Sequence, residues 1–130
     1  MKIPYLEVAK GMYSPIVTLE IYSPPRWIEF EAYVDSGATF SIFHKNIADI
    51  LDIDYKKGRL LKVIVGDGNT ICVYIHKLLV RFNNRKFVAQ IGFSSKLGVG
   101  FNLLGRRSFF DRFQFCFNDK KRLLTVTPLI

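Results

Sequence analysis

Apolar and polar side chains alternate along most of this chain. In residues 16–21 and again in residues 27–34, every second position is apolar, which is typical of a strand with one buried face. The sequence Ser23-Pro24-Pro25 separates the two segments. Because proline favours turns and cannot donate to a strand ladder, we predict a hairpin built from these two strands.

Two short segments predict helices instead. In residues 44–52 the apolar side chains recur at i, i+3 and i+4, which is the spacing of an amphipathic helix. Near the other end of the chain, Ser108 is of the residue type that caps helix N-termini. We therefore predict a second short helix at Phe109–Arg112.

Further hairpins are predicted in the middle of the chain. Strand-like segments at 60–65 and 70–82 flank Gly66–Asn69, and glycine and asparagine are the residues that tolerate the positive φ of tight turns. The pair Asn83-Asn84 has the same property and leads into a strand-like segment at 85–93. The central part of the chain is thus predicted as a succession of antiparallel strands.

The remaining segments complete the predicted fold. Residues 94–101 are rich in glycine and predict a loop, and residues 114–127 predict a last hairpin around Asn118-Asp119. No repeat, linker or low-complexity tract interrupts the chain. We predict a single domain, 1–130, of the all-β class: a mainly antiparallel closed β-barrel with two short helices.

Composition narrows the protein class. The chain has 130 residues, of which 49% are hydrophobic, enough for a core without metals or disulfides. Two cysteines are too few for a secreted disulfide framework. The longest stretch without Asp, Glu, Lys or Arg is nine residues, too short for a membrane helix, and Glu7 interrupts any signal-peptide core. We expect a soluble, cytoplasmic protein with no membrane partner.

Charge is distributed unevenly within the net +8. Residues 1–54 hold eight acidic and four basic side chains, net −4, whereas residues 55–130 hold three acidic and fifteen basic ones, net +12. Such asymmetry can indicate an anionic partner. The basic residues are scattered along alternating strands, however, with no block longer than Lys120–Arg122. A solvated basic face is the preferred interpretation.

The clearest candidate chemistry lies in Tyr33–Thr39. An apolar strand ends at Asp35, which delivers its carboxylate to the point where the core stops and a cleft begins. Ser36 is able to hydrogen-bond neighbouring backbone, Gly37 lets a substrate backbone approach because it has no side chain, and Ala38 keeps the loop small. An Asp-Ser-Gly sequence alone is usually a surface turn. Here apolar sequence follows it, which favours a cleft.

Two further features follow along the chain. The first is the hairpin tip Gly66-Asp67-Gly68-Asn69, and the second is Leu103-Leu104-Gly105-Arg106, an apolar pair that ends in glycine ahead of the predicted second helix. Each has an ordinary interpretation when taken alone. The first is also typical of a surface turn, and the second of a buried strand.

In this order, the three features resemble the retropepsin-like aspartic proteases, in particular the single-domain cellular or prokaryotic members. The family pattern is two apolar residues with Asp-(Thr/Ser)-Gly-Ala, then a mobile hairpin called the flap, then two apolar residues with glycine. Val34–Ala38, Val65–Asn69 and Leu103–Arg106 match these elements. The pattern departs at Thr39, where many viral members carry an aspartate paired with an arginine at the position of Arg106, so that ion pair is absent.

The resemblance implies an aspartic endopeptidase, in which two carboxylates share one proton and activate a water that hydrolyses the peptide bond. The chain carries a single Asp-Ser-Gly loop, so Asp35 is implied to meet Asp35 of a second copy in a homodimer. The resemblance makes Ser36–Thr39 and Leu103–Arg106 supports of the catalytic loop, and Gly66–Asn69 a flap over an extended peptide. It implies no metal and no cofactor.

Two other hypotheses stay open. One is a catalytically silent retropepsin-like domain that binds peptide or dimerises. The other is a basic nucleic-acid-binding β domain, which the net charge favours together with Phe82 and Phe87 around a basic turn. No recognised nucleic-acid motif is present, so nucleic acid is not the expected partner. Nor is zinc expected, since the cysteines and histidines lack ligand spacing and Cys72, in an apolar strand, is expected to be buried.

Overall fold

Strands form most of the chain in the computed structural model, which describes residues 1–129. The strands are β1 (Lys2–Pro4), β2 (Leu6–Ala9), β3 (Met12–Ser14), β4 (Ile16–Ser23), β5 (Arg26–Val34), β6 (Ser41–His44), β7 (Arg59–Ile64), β8 (Thr70–Phe82), β9 (Arg85–Ser94), β10 (Leu103–Leu104), β11 (Phe113–Asn118) and β12 (Leu123–Pro128). The helices described are α1 (Lys45–Ile50) and one 3₁₀ turn at Tyr55–Lys57.

One large sheet organises the fold. Its seven strands are hydrogen-bonded in the order β4-β5-β10-β6-β9-β8-β7, and β4 also pairs with β8. Six of these strands therefore form a continuous ring of pairings, and β7 lies outside it. The pairs β10–β5 and β6–β9 are parallel, and the other pairs are antiparallel. The predicted mainly antiparallel all-β class is confirmed.

The predicted central hairpins are present with closely similar bounds. The strand β4 pairs with β5 along its whole length, and Pro24 and Pro25 form the turn between them. Asn83 and Asn84 connect β8 to β9 with φ values of 53° and 60°. Two consecutive residues with positive φ are what a two-residue hairpin turn requires, so asparagine suits both positions.

The helix predictions are only partly right. The helix α1 lies inside the predicted range 44–52, but Phe109–Arg112 is not a helix. Residue 106 forms a bend and residues 107–112 form a series of consecutive turns instead. Ser108 has a φ of 72°, whereas an N-cap residue is extended, and its hydroxyl accepts a hydrogen bond from the Gln90 N–H at 3.0 Å. Phe109 is fully buried in the main core, and burial of its ring anchors this segment against the core.

Two apolar clusters lie within the fold. The main core combines side chains from strands around the ring, and Phe43, Phe93 and Leu104 are completely buried in it. A smaller group, which we call the hairpin-base cluster, lies where β7 and β8 join the body of the protein. Its members are the buried residues Ile42, Val73 and Ile75 and the partly buried residues Phe40, Leu61, Val63, Ile71 and Leu97.

The chain ends form a second, smaller sheet in the order β1-β12-β11, and β2 and β3 form a short hairpin of their own. The hairpin of β11 and β12 confirms the predicted last hairpin, whereas β1, β2 and β3 were not predicted from the sequence. Cys72 and Cys116 are both exposed and free, so the expected burial of Cys72 is wrong. Within residues 1–129 no helix has the length and apolar character needed to cross a membrane.

Candidate active site

Asp35 follows the last residue of β5, and backbone hydrogen bonds to the residues around β10 hold it there. The N–H of Asp35 donates to the carbonyl oxygen of Leu104 at 2.9 Å, and the N–H of Tyr33 donates to that of Asn102 at 2.8 Å. The short strand β10 thus runs parallel to the end of β5, with Leu103 opposite Tyr33. This pairing places the third sequence motif directly beside the first.

The loop that begins at Asp35 orients the carboxylate. We call residues 35–40 the Asp35 loop. The N–H of Gly37 donates to Asp35 Oδ1 at 2.9 Å, and the N–H of Ala38 donates to the Asp35 carbonyl oxygen at 3.2 Å. A Cβ at position 37 would lie 3.3 Å from Oδ1, so glycine lets the loop close tightly. Within residues 1–129, Asp35 Oδ2 accepts no hydrogen bond.

The far side of the Asp35 loop is held by the third motif. The N–H groups of Arg106 and Arg107 donate to the carbonyl oxygens of Ala38 and Thr39, both at 2.8 Å. The buried N–H of Gly105 donates to Ser41 Oγ at 2.9 Å. A Cβ on Gly105 would lie 2.4 Å from the carbonyl carbon and oxygen of Phe40, so only glycine fits this approach.

A cleft lies between the Asp35 loop and the hairpin formed by β7 and β8. Its volume is about 700 Å³. The loop contributes Asp35 and Gly37–Phe40, and the hairpin contributes Val63–Asp67. The other lining residues are Tyr33, Ile42, Leu97, Gly98, Val99, Phe101 and Leu103. Asp35 therefore borders a largely apolar space that is bounded on one side by a hairpin.

The predicted site residues fall into two groups. Asp35, Gly37, Ala38, Thr39, Gly66, Asp67 and Leu103 all line this cleft. Gly68 and Asn69 lie at the exposed hairpin tip, Leu104 is buried in the core, and Gly105 and Arg106 contact the loop through their backbone. Ser36 is exposed and lies on the opposite side of Asp35.

The hairpin tip is a tight turn held by Asp67. Its Oδ1 accepts a hydrogen bond from the Asn69 N–H at 2.9 Å, and its Oδ2 accepts one from Asn69 Nδ2 at 3.0 Å. These bonds hold the pKa of the Asp67 carboxyl below its usual range, since they favour the charged form. Gly68 has a φ of 86°, which favours glycine there.

A second, more polar cavity of about 490 Å³ lies on the other side of Asp35. The Tyr5 hydroxyl donates to Asp119 Oδ1 at 2.8 Å, and the Arg122 guanidinium lies 3.8 Å from the centre of the Tyr13 ring. Burial and the Asp119 carboxylate raise the pKa of Tyr5 to about 12. No motif marks these residues, because they come from opposite ends of the chain.

The basic turn around Asn83-Asn84 does not present stacking aromatics. Phe82 is only 2% exposed and lies in the main core. The ring of Phe87 packs against Phe109 and Phe113, at 5.6 and 5.8 Å between ring centres. Neither ring is free to stack on a nucleic-acid base, so of the two observations that favoured a nucleic-acid-binding domain only the net charge is left.

The search for similar sequences matched neither a protein-family model nor a curated protein. Solved structures do match. The chain is similar to a retropepsin-like aspartic protease from Rickettsia conorii, with a TM-score of 0.62, 20% identity, and coverage of 99% of this chain and 94% of that one. It is also similar to the EIAV protease complexed with the inhibitor HBY-793, with a TM-score of 0.54, 17% identity, and coverage of 72% and 82%.

This chain has the retropepsin-like fold. The resemblance predicted from three short motifs is confirmed in the arrangement of the backbone. In this retropepsin-like chain, the Asp-Ser-Gly-Ala sequence is the loop that carries the cleft carboxylate. The Leu-Leu-Gly sequence is the parallel strand that braces this loop from the side.

Proposed function

We propose that this chain is an aspartic endopeptidase that acts as a homodimer of single domains, residues 1–130. Asp35 of each subunit supplies one of the two catalytic carboxylates. The observation that carries the proposal is the position of Asp35, whose carboxylate is oriented by the Gly37 N–H at 2.9 Å and faces a cleft of about 700 Å³. We further propose that the enzyme acts in the cytoplasm.

The homodimer follows from the chemistry. Peptide hydrolysis of this kind needs one carboxylate that accepts a proton and a second, protonated carboxyl that donates one. Within residues 1–129, the only acidic residue besides Asp35 that lines the cleft is Asp67, at the hairpin tip, and both of its oxygens accept hydrogen bonds from Asn69. A symmetric second copy supplies the missing partner when the two Asp35 loops face each other across a twofold axis.

In the proposed reaction, a water lies between the two Asp35 carboxyls, which share one proton. The charged carboxylate accepts a proton from this water as its oxygen attacks the carbonyl carbon of the scissile peptide bond. The protonated carboxyl donates its proton to the carbonyl oxygen. In the second step the carboxyl that took the water's proton donates it to the amide nitrogen, the other carboxylate takes a proton from a hydroxyl of the tetrahedral diol, and the carbon–nitrogen bond breaks. The dyad holds one proton throughout.

Substrate is proposed to bind as an extended strand in the cleft. Main-chain hydrogen bonds to the Asp35 loop and the β7–β8 hairpin would supply affinity, and the apolar lining would accept side chains on alternate positions. The β7–β8 hairpin, with Gly66–Asn69 at its tip, acts as the flap that closes over the peptide and excludes water. Ser36, on the side of Asp35 away from the cleft, faces the second subunit.

The test is a digest of a diverse peptide library by the wild-type protein and by Asp35→Asn. We expect cleavage by the wild type at apolar sites, and loss of cleavage in the variant with unchanged circular dichroism and unchanged sedimentation. Equal cleavage by both proteins would refute the proposal. A folded wild-type dimer that cleaves nothing would instead favour the catalytically silent peptide-binding module.

A further inference from the structure

A positive charge that the proposed chemistry does not use lies beside the cleft. The guanidinium carbon of Arg107 lies 5.2 Å from the centre of the Phe40 ring, and Phe40 lines the cleft. The N–H of Arg107 donates to the carbonyl oxygen of Thr39 at 2.8 Å, and Thr39 lines the cleft as well. The backbone and the side chain of Arg107 therefore each contact a residue of the cleft wall, and Arg107 lies directly beside these lining residues.

Within residues 1–129, no carboxylate forms an ion pair with that guanidinium. The ion pairs found within residues 1–129 are Lys45–Asp49 and Arg81–Glu20. The acidic residues lining the cleft are Asp35 and Asp67, and the two oxygens of Asp67 are already hydrogen-bonded to Asn69. Arg107 is exposed, so its donors face outward and are available to a bound molecule.

The Phe40 ring gives this arginine a defined orientation. A guanidinium stacked over an aromatic face loses little further freedom when it binds, because the stacking already restricts its side chain. Its planar N–H donors can form two parallel hydrogen bonds to one carboxylate. A lysine, or an arginine that is free in solvent, forms this pair of bonds less well. The Phe40 ring can thus contact the methylene groups of an acidic side chain, and the Arg107 guanidinium can bind its carboxylate.

We infer that Arg107 selects peptide substrates with an acidic side chain, bound over Phe40 at a position away from the scissile bond. The inference rests on the proposed function and deepens it by naming a substrate class: apolar residues around the cleaved bond and a Glu or Asp farther along the strand. In an extended peptide, side chains on one face recur every second residue. Because the proposed dimer carries two Arg107 side chains related by the twofold axis, the preference is expected at two positions, one on each side of the scissile bond, and not along the whole peptide.

The chain offers a matched control at Arg112. Its guanidinium carbon lies 4.8 Å from the centre of the Phe87 ring, so the local contact is the same as that of Arg107. Phe87 packs against Phe109 and Phe113 and does not line the cleft. Replacing Arg112 by methionine removes the same charge and the same stacking contact from a different surface.

The experiment uses synthetic peptides with two central phenylalanines flanked by alanines, in which one Glu is moved along the chain a residue at a time. The reference for each peptide carries Gln at the same position. We expect the wild type to cleave the Glu peptide about tenfold faster in kcat/KM when the Glu lies at either of the two positions that face Arg107, one on each side of the scissile bond. Arg107→Met should bring that ratio close to one, Arg112→Met should leave it unchanged, and Arg107→Glu should favour a Lys peptide instead.

Binding to the Asp35→Asn variant separates this inference from the proposed function. Fluorescence anisotropy with labelled Glu and Gln peptides needs no cleavage. If Glu peptides bind more tightly and Arg107→Met removes the difference, the inference stands even where the wild type cleaves nothing. If the wild type cleaves peptides without any Glu preference that depends on Arg107, or with one that Arg112→Met removes equally, the inference is wrong and the endopeptidase proposal is untouched.

Discussion

The two walls of the cleft are built with very different rigidity. On one side, the Asp35 loop is joined to β10 and to the residues after it by backbone bonds from Asp35, Arg106 and Arg107, of 2.8 to 2.9 Å. On the other, the β7–β8 hairpin extends beyond the main core, and Ile64 near its tip is 74% exposed. Beyond the pairing of β8 with β9, which begins at Tyr74, the apolar contact of the hairpin with the body is the small hairpin-base cluster.

This contrast separates two tasks that one rigid structure would not perform well. A carboxylate that shares a proton with a partner must be held within a fraction of an ångström, which favours short bonds and a buried glycine contact. A cover that admits a peptide and then closes must open at low free energy, and exposed segments with little packing do so most easily. The predictions below test this division, beginning with the largest expected effect.

The largest effect is expected at Gly105. In Gly105→Ala the new Cβ would lie 2.4 Å from the Phe40 carbonyl group, so backbone must shift, and we expect a loss of about 3 kcal/mol or more in the free energy of unfolding. Gly66→Ala is the matched change on the hairpin, where no atom lies within 4 Å of the added Cβ. Urea unfolding should place it within about 0.5 kcal/mol of the wild type. Similar losses in both variants would contradict the contrast.

A smaller effect is expected at Ser41. Its buried hydroxyl accepts the Gly105 N–H at 2.9 Å, and Ser41→Ala leaves that N–H without a partner. We expect a loss of about 1–3 kcal/mol in the free energy of unfolding. The control is Ser95→Ala in the loop after β9, where the serine is exposed, with an expected change below about 0.5 kcal/mol. Equal stability of the Ser41 and Ser95 variants would show that the hydrogen bond from Gly105 to Ser41 does not stabilise the Asp35 loop.

The smallest effect concerns the hairpin tip at acid pH. Its bonds to Asn69 hold the pKa of the Asp67 carboxyl below its usual range, so their contribution is present above the ordinary aspartate pKa of about 4. The contribution is lost as pH falls through the lowered value. The Asn69 amide signal in NMR should therefore titrate below pH 4, while that of Gly105 stays constant. A midpoint above 4, or unchanged titration in Asp67→Asn, would contradict this.

Local patterns in the sequence predicted the part of the fold that depends on neighbouring residues. Alternation and turn residues identified the β4–β5 and β7–β8–β9 hairpins, because each strand there pairs with the next one along the chain. They did not identify β1, whose partner β12 lies at the other end of the chain. Three residues carry too little pattern to mark such a strand.

The residues around the site also divide into those that local sequence patterns identify and those that only the folded chain brings together. Asp35 and Gly105 were recognisable because a glycine or an acidic residue at a strand end has a specific geometric use. The wrong helix at Phe109–Arg112 arose because its aromatic residues serve the core, where Phe109 is fully buried, and tertiary packing overrides a capping signal. Neither Tyr5 in the second cavity nor Arg107 beside the cleft was recognisable, since each acquires its position only through the folded chain.

The central claim is that one active site needs Asp35 from two chains, and mixing tests it most directly. Wild-type protein is combined with increasing Asp35→Asn at constant total concentration, well above that needed for dimers, and allowed to exchange subunits. Because mixed dimers hold one carboxyl, activity should follow the square of the wild-type fraction, falling to about a quarter at equal amounts. A linear fall, to about half at equal amounts, would show that each chain acts alone and would contradict the shared dyad.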